Sequence, residues 1–294
     1  AGTDITINDP IVLSSGVGGI STGASVGGNI VLNNTVTGPQ ALQLTAGTGS
    51  ATLNADVNVA SVAVTAATIN INGGTDAVVT TGNQTYTGAT VLGADTTFTA
   101  NNSGTLGTIT FAGTLESSND GAATPASNLR TLGLTADAVF RGDVGQTYKL
   151  GSLSVLGQTK FHDLVLGGTV DLATSGNQTY TGAVLLASAA SLAASDANIT
   201  LSDTVNGAFA LTLAAGTGAI EAVGVMGTGA ASANRLASLT INSAGTATLN
   251  NVFTSGNQAI TATNIDLTSG TYTATAGDIT LTGATKLEQN TTFT

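Results

Sequence analysis

The sequence predicts an all-β solenoid with coils of about twenty residues, and three observations predict it. First, Thr81-Gly82-Asn83-Gln84-Thr85-Tyr86-Thr87-Gly88-Ala89 returns almost letter for letter as Ser175-Gly176-Asn177-Gln178-Thr179-Tyr180-Thr181-Gly182-Ala183, and in worn form as Ser255-Gly256-Asn257-Gln258-Ala259-Ile260-Thr261. Second, a matched apolar segment precedes each copy: Val59-Ala60-Ser61-Val62-Ala63-Val64, Leu150-Gly151-Ser152-Leu153-Ser154-Val155 and Leu236-Ala237-Ser238-Leu239-Thr240-Ile241. From its Ser to the Gly of the following turn the spacing is 82 − 61 = 21, 176 − 152 = 24 and 256 − 238 = 18 residues. Third, apolar residues elsewhere recur two apart, the period of a strand with one face buried.

Taken in order, the first stretch to Gly28 is rich in Gly and Ser, with one alternating segment at Ile5-Thr6-Ile7. Strand signals then become regular: Ile30-Val31-Leu32, Leu42-Gln43-Leu44, Ile69-Asn70-Ile71, Ile109-Thr110-Phe111, Leu164-Val165-Leu166, Ile199-Thr200-Leu201, Leu211-Thr212-Leu213 and Ile279-Thr280-Leu281. Each triplet places two side chains inward and one outward. Val62, Val64, Leu153, Val155, Leu239 and Ile241 are expected inside. Gly, Asn, Asp, Ser and Thr fill the gaps, as tight turns require. Asn at such turns tolerates left-handed backbone and can stack in hydrogen-bonded ladders. The Ala-rich run at Ala187-Ser188-Ala189-Ala190-Ser191-Leu192-Ala193-Ala194 is the one place where helix and strand compete.

A longer repeat overlies the short one. Asn29-Ile30-Val31-Leu32 to Ala46-Gly47-Thr48-Gly49 matches Asn198-Ile199-Thr200-Leu201 to Ala215-Gly216-Thr217-Gly218 at an offset of 198 − 29 = 169. Gly88-Ala89-Thr90 to Phe98-Thr99 reappears as Gly283-Ala284-Thr285 to Phe293-Thr294, at an offset of 283 − 88 = 195. The turn motifs of the same copies are 256 − 82 = 174 apart, so one whole coil, Thr263 to Thr282, is read as inserted. The polar, Pro-containing stretch 116–128 is expected to loop out, and residues 1–294 to form one solenoid, a segment of a longer chain or a stacking unit.

Composition bounds the function. The 294 residues carry a net charge of −11, which disfavours nucleic acid and anionic membrane surfaces as partners because both need clustered Lys or Arg. There is no cysteine, and no apolar run approaches transmembrane length.

The apolar segment followed by Ser/Thr-Gly-Asn-Gln-Thr-Tyr-Thr-Gly-Ala resembles the strand repeats of large bacterial exoproteins, the filamentous-haemagglutinin-like adhesins exported by two-partner or autotransporter-type routes. The resemblance covers roughly Asn29 to Thr294. It implies a right-handed parallel β-helix, an extracellular or cell-surface location, and an adhesive or structural role. It carries over no catalytic residue.

Candidate chemistry is sparse. Arg141-Gly142-Asp143 spells an integrin-recognition tripeptide but follows a strand-like segment, so a solvated turn is the better account. His162, the single histidine, stands beside Asp163. The Gly-x-Ser-x-Gly patterns at Gly19 to Gly23 and Gly23 to Gly27 lack the strand-to-helix context of a nucleophile elbow. Asp143 and Asp163 are spaced to sit on adjacent coils, where paired carboxylates could act on a glycosidic bond or bind calcium; two exposed acids are favoured instead. Asn33, Asn83, Asn101, Asn177, Asn198 and Asn290 each begin an Asn-x-Ser/Thr pattern, which chance explains in a chain so rich in Asn and Thr.

Four of the six Lys and Arg residues fall between Arg130 and Lys160. Arg141, Lys149, Lys160 and His162, with Asp143 and Asp163, are read as a contact face for a neighbouring copy or an acidic surface glycan, against the plainer reading of charges that keep an apolar rod soluble. The sequence thus points to a non-enzymatic stalk or fibre, without cofactor or metal. A homopolymeric matrix or surface-layer filament is the alternative, and a carbohydrate-active β-helix enzyme ranks third.

Overall fold

A computed structural model of the chain describes residues 2–16, 18–102, 104–118, 129–161, 168–228 and 233–294. Among them there is no helix, and the strands stack in parallel about 21 residues apart, the pattern of a β-solenoid. The chain divides into two compact units, 1–151 and 152–294.

In the first unit each coil contributes to three ladders. One runs through Ile5–Ile7, Ile30–Leu32, Ser50–Leu53, the later halves of Val62–Ile71 and Gln84–Leu92, and Leu115–Ser117. A second runs through Ile11–Val12, Val36–Thr37, Val57–Val59, Val78–Thr80, Thr96–Asn102 and Thr131–Thr135. The third joins Gly18–Ser21, Leu42–Thr45, the earlier halves of the two long strands, Thr108–Phe111 and Asp137–Phe140.

The second unit repeats the plan. Ser152–Val155, Gln178–Tyr180, Ile199–Leu201, Ala219–Ala222, Thr246–Leu249 and the later halves of Gln258–Leu267 and Ile279–Leu287 form one ladder. Thr169–Thr174, Ala189–Ala194, Ala210–Ala214, Ser238–Ser243 and the earlier halves form another. Thr159–Phe161, Val184–Leu186, Val205–Asn206, the bridge at Met226, Val252–Thr254, Thr271–Ala274 and Thr292–Phe293 form the third.

Alternation explains the cores. Ile30 and Leu32 are buried around the outward Val31, and Val62, Val64, Leu153, Val155, Leu239 and Ile241 all lie inside as their spacing requires. Each such side chain stabilises its coil by about 1.5–3 kcal/mol of apolar burial. Aromatic residues continue the stacking. In the first unit Tyr86 lies against Phe111 with centroids 5.3 Å apart, Phe111 against Phe140 at 5.8 Å, and Phe98 meets Tyr86 edge-on at 5.4 Å. Along the turns, Asn33 donates to Asn8, Asn54 to Asn33 and Asn72 to Asn54, at 2.6–2.7 Å, so the expected Asn ladder forms.

Several expectations resolve here. The Ala-rich run is strand over Ala189–Ala194, its alternate Ala and Leu side chains filling the interior. Thr263 to Thr282 does complete one coil: Gln258 pairs with Ile279 and Leu267 with Leu287, with ladders intact on both sides. Glu116 to Ser118, expected within the looped excursion, stack on the solenoid instead. Leu115–Ser117 is a strand with Ser117 buried, and the Ser118 amide still bonds to Leu92, because this segment stacks on the coil beneath it. Residues 119–128 lie outside the described set. Among the described residues one strand pair is antiparallel, a short hairpin joining Asn101 to Leu106.

Candidate functional site

The most repeated motif is a buried corner. Thr80 ends one strand and its hydroxyl donates to the Gly82 carbonyl at 2.6 Å; Thr174 and Thr254 do the same to Gly176 and Gly256, at 2.6 and 2.5 Å. Four residues on, Gln84, Gln178 and Gln258 are fully buried. Their Nε2 groups donate to the Thr hydroxyls and, at 2.8–2.9 Å, to the carbonyls of Thr99, Ala193 and Thr273 fifteen residues ahead. Tyr86 and Tyr180 then donate to the Gln Oε1 atoms at 2.8 and 3.1 Å. In the third copy Ile260 replaces the tyrosine, and Gln258 Oε1 is buried without a partner among the described residues. The motif Asn faces the next coil: Asn83, Asn177 and Asn257 accept from the amides of Thr108, Asn198 and Asp278 at 2.9–3.0 Å.

Each apolar segment lies directly beneath its motif: Val62 pairs with Gln84, Leu153 with Gln178 and Leu239 with Gln258. Within the second unit, however, Gln178–Tyr180 and the start of Gln258–Leu267 belong to different ladders. A binding stripe would hold its motif on one face, whereas a corner device serves wherever a coil turns. Burial raises the Tyr86 and Tyr180 hydroxyls well above the ordinary tyrosine range. Tyr272, whose Oη donates to Leu249 at 2.8 Å, is pushed up by burial to about 12, against a smaller lowering by a backbone hydrogen bond from Ser269.

Of the expected contact face, Arg141, Asp143 and Lys149 lie in the first unit. Arg141 follows Asp137–Phe140 at the corner leading to Val144, and its amide donates to Phe111. All three residues of Arg141-Gly142-Asp143 are half-buried; the Arg141 Nε is shielded without a hydrogen-bond partner among the described residues, and Gly142 packs on the Gly113 carbonyl. The tripeptide is therefore a partly solvated, stacked corner. Lys149 is exposed at the next corner of the same coil. Lys160, half-buried on Thr159–Phe161, belongs to the second unit. His162 and Asp163, and with them the paired-carboxylate reading, lie outside the described residues.

The other motifs find structural uses. Ser21 ends a strand and accepts the Gly23 amide, with no helix following. Asn33 spends its Nδ2, the atom a glycan would need, on Asn8. Among the described residues no group of three His, Cys, Asp or Glu could hold a metal ion, and no helix is long and apolar enough to cross a membrane.

One cluster had escaped notice. The Glu116 carboxylate accepts the amides of Thr147 at 3.2 Å and Tyr148 at 2.8 Å. Gly145 donates to Leu115, Ser117 to the Tyr148 carbonyl, Arg130 to Ser117 Oγ, and Gly151 to the Arg130 carbonyl. The available signal was Gly145-Gln146-Thr147-Tyr148, the corner motif without its Asn. No protein-family model, curated protein or solved structure matches the chain.

Proposed function

We propose that this chain is a non-enzymatic structural and adhesive segment of a bacterial cell-surface or secreted exoprotein, serving as a stalk or fibre. The observation that carries this reading is where the repeated chemistry goes. Thr, Gln, Tyr and Asn of the recurring motif are consumed in corner hydrogen bonds, and outward strand positions are largely Thr, Ser, Asn and Ala, as at Thr179, Thr200 and Thr248. The motif's place on two ladders of the second unit favours a coil-building role over a ligand-binding one. The lean charge and the buried aromatic residues suit an extended surface element better than an enzyme that must grip sugar rings along a cleft.

The test has two arms. Electron microscopy of the chain, alone and in tandem copies, should show rods that lengthen with copy number, and coated beads should attach to cells or glycan surfaces. The same protein should release no new reducing ends or unsaturated products from polysaccharides. Turnover at enzymatic rates would replace this reading with that of a carbohydrate-active enzyme. Self-assembly of single copies into long filaments, without attachment, would favour the matrix or surface-layer alternative.

A further inference from the structure

We infer that Asn72-Gly73 is a covalent modification site: in the folded chain the Gly73 nitrogen closes on the Asn72 carboxamide, ammonia leaves, and one corner of the first unit is slowly converted to aspartate and isoaspartate. The site lies apart from the adhesive and structural reading and does not rest on it. The dipeptide sets the chemistry. Glycine has no Cβ to obstruct its own nitrogen, so an Asn-Gly pair closes to a cyclic imide more easily than Asn before a bulkier residue. The nitrogen gives up its proton to hydroxide, its bond to Cγ forms, and the Cγ–Nδ2 bond breaks as ammonia leaves with a proton from water. Water then opens the ring at either carbonyl, leaving an Asp side chain or an isoaspartyl main chain.

Two Asn-Gly pairs occur in the chain, and the fold treats them differently. Asn206 is half-buried at the end of Val205–Asn206, and its Oδ1 accepts both the amide and the hydroxyl of Thr228, at 2.8 and 2.7 Å. The Gly207 nitrogen is occupied as well, donating to the Asn234 carbonyl at 3.3 Å. Ring closure there must break all of these bonds. Asn72, by contrast, is exposed and follows the strand Val62–Ile71. Among the described residues its carboxamide makes one bond, from Nδ2 to Asn54 Oδ1 at 2.7 Å, and the Gly73 nitrogen makes none. Gly73 packs against Ala55 and Ala77, while Gly74, Thr75 and Asp76 beyond it are exposed, so the corner has room for the extra main-chain carbon of an isoaspartate. Asn72 is also where the Asn ladder stops. Gly93 stands over it in the next coil, where a Cβ would fall 2.1 Å from Asn72 Oδ1. The reaction therefore ends the ladder on a carboxylate, removing the donor to Asn54 Oδ1 and setting an anion against that acceptor.

The test keeps the whole chain folded at mildly alkaline pH in water enriched in heavy oxygen and follows peptides spanning the two pairs by mass spectrometry. Uptake of heavy oxygen marks deamidation, and resolving aspartyl from isoaspartyl peptides reports the cyclic intermediate, since direct hydrolysis yields aspartate alone. Asn72 should react at least about tenfold faster than Asn206, a factor that the intact hydrogen bonds of Asn206 and Gly207 readily supply. In urea, where neither pair is restrained, the two rates should converge. Gly73→Ala should slow the reaction severalfold, because the added methyl group obstructs the nitrogen. Its Cβ would stand 3.2 Å from that of Ala77, so a small adjustment keeps the fold and the circular dichroism spectrum should be unchanged. Asn72→Asp, which imitates one product, should lower the urea midpoint, and an unmoved midpoint would refute the cost to the ladder. Equal rates at the two pairs in the folded chain would overturn the site. So would aspartate without isoaspartate, or an Asn72 that stays intact when folded while the unfolded chain reacts.

Discussion

Replacing Tyr86 with Phe removes one oxygen from a closed network and little else. The ring keeps its stack on Phe111 at 5.3 Å and its edge contact with Phe98 at 5.4 Å. What disappears is the 2.8 Å bond to Gln84 Oε1. Both residues are fully buried, so the orphaned carbonyl cannot turn to solvent. Leaving such an acceptor unsatisfied costs about 1–3 kcal/mol, against about 1 kcal/mol or less for a lost exposed bond. The Gln84 amide remains tied to Thr80 and Thr99, so the side chain cannot swing to a new partner. Urea unfolding followed by far-ultraviolet circular dichroism should therefore show a lower midpoint with an unchanged slope. Gln84→Leu and the double variant complete a cycle, in which a coupling of roughly 0.5–3 kcal/mol is expected for a direct contact. The third copy is a natural control: Ile260→Phe should leave the state of Gln258 Oε1 unaltered, since that atom already lacks a donor. An unmoved midpoint for Tyr86→Phe would refute the reasoning, because the corner would then owe nothing to the tyrosine hydroxyl.

The buried tyrosines make stability sensitive to alkali. Their folded pKa values lie above the unfolded value of about 10, so their contribution is fully present below that pH and is lost as pH rises. For Tyr272 the loss runs from pH ~10 to about 12, and Tyr86 and Tyr180 extend it upward. With the exposed Tyr148 replaced by Phe, tyrosinate absorbance should accordingly appear together with loss of β-structure, and ionisation of the three buried tyrosines near pH ~10 with the fold intact would contradict the burial argument. In the Asn ladder, Asn54→Asp removes the donor to Asn33 and sets an anion beside its carbonyl; a loss of about 1 kcal/mol is expected by denaturation, while Asn58→Asp on the outward side of Val57–Val59 should be nearly neutral. Deleting Thr263 to Thr282 brings Ala284 and Leu287 to the places of Asn264 and Leu267 over Thr246–Leu249. The shortened chain should keep a cooperative β-sheet transition, and total loss of the circular dichroism signal would count against independent coils.

Much of this molecule is determined locally. A parallel coil stacks like on like, so strand period, coil length and the inward identity of residues such as Leu153 and Ile241 are written in runs of a few residues. The pairing of each apolar segment with its turn motif, and the whole coil at Thr263 to Thr282, follow from counting, because register resumes after any complete turn. The interior role of Gln84 and Tyr86 does not. A buried amide is stable only where donors and acceptors converge, and the acceptor at Thr99 arrives from the next side of the coil. The contact face shows the same division. Spacing near twenty suggests that Arg141, Lys160 and His162 stack along one face; within the first unit Arg141 and Lys149, eight residues apart, stand on either side of the bridge at Val144. The Glu116 clamp on Thr147 and Tyr148 spans more than thirty residues through the side chain of an otherwise ordinary outward position. Period and polarity decide what lies inside a solenoid; which outward side chains meet is decided by how each corner closes, and only the folded coils settle that.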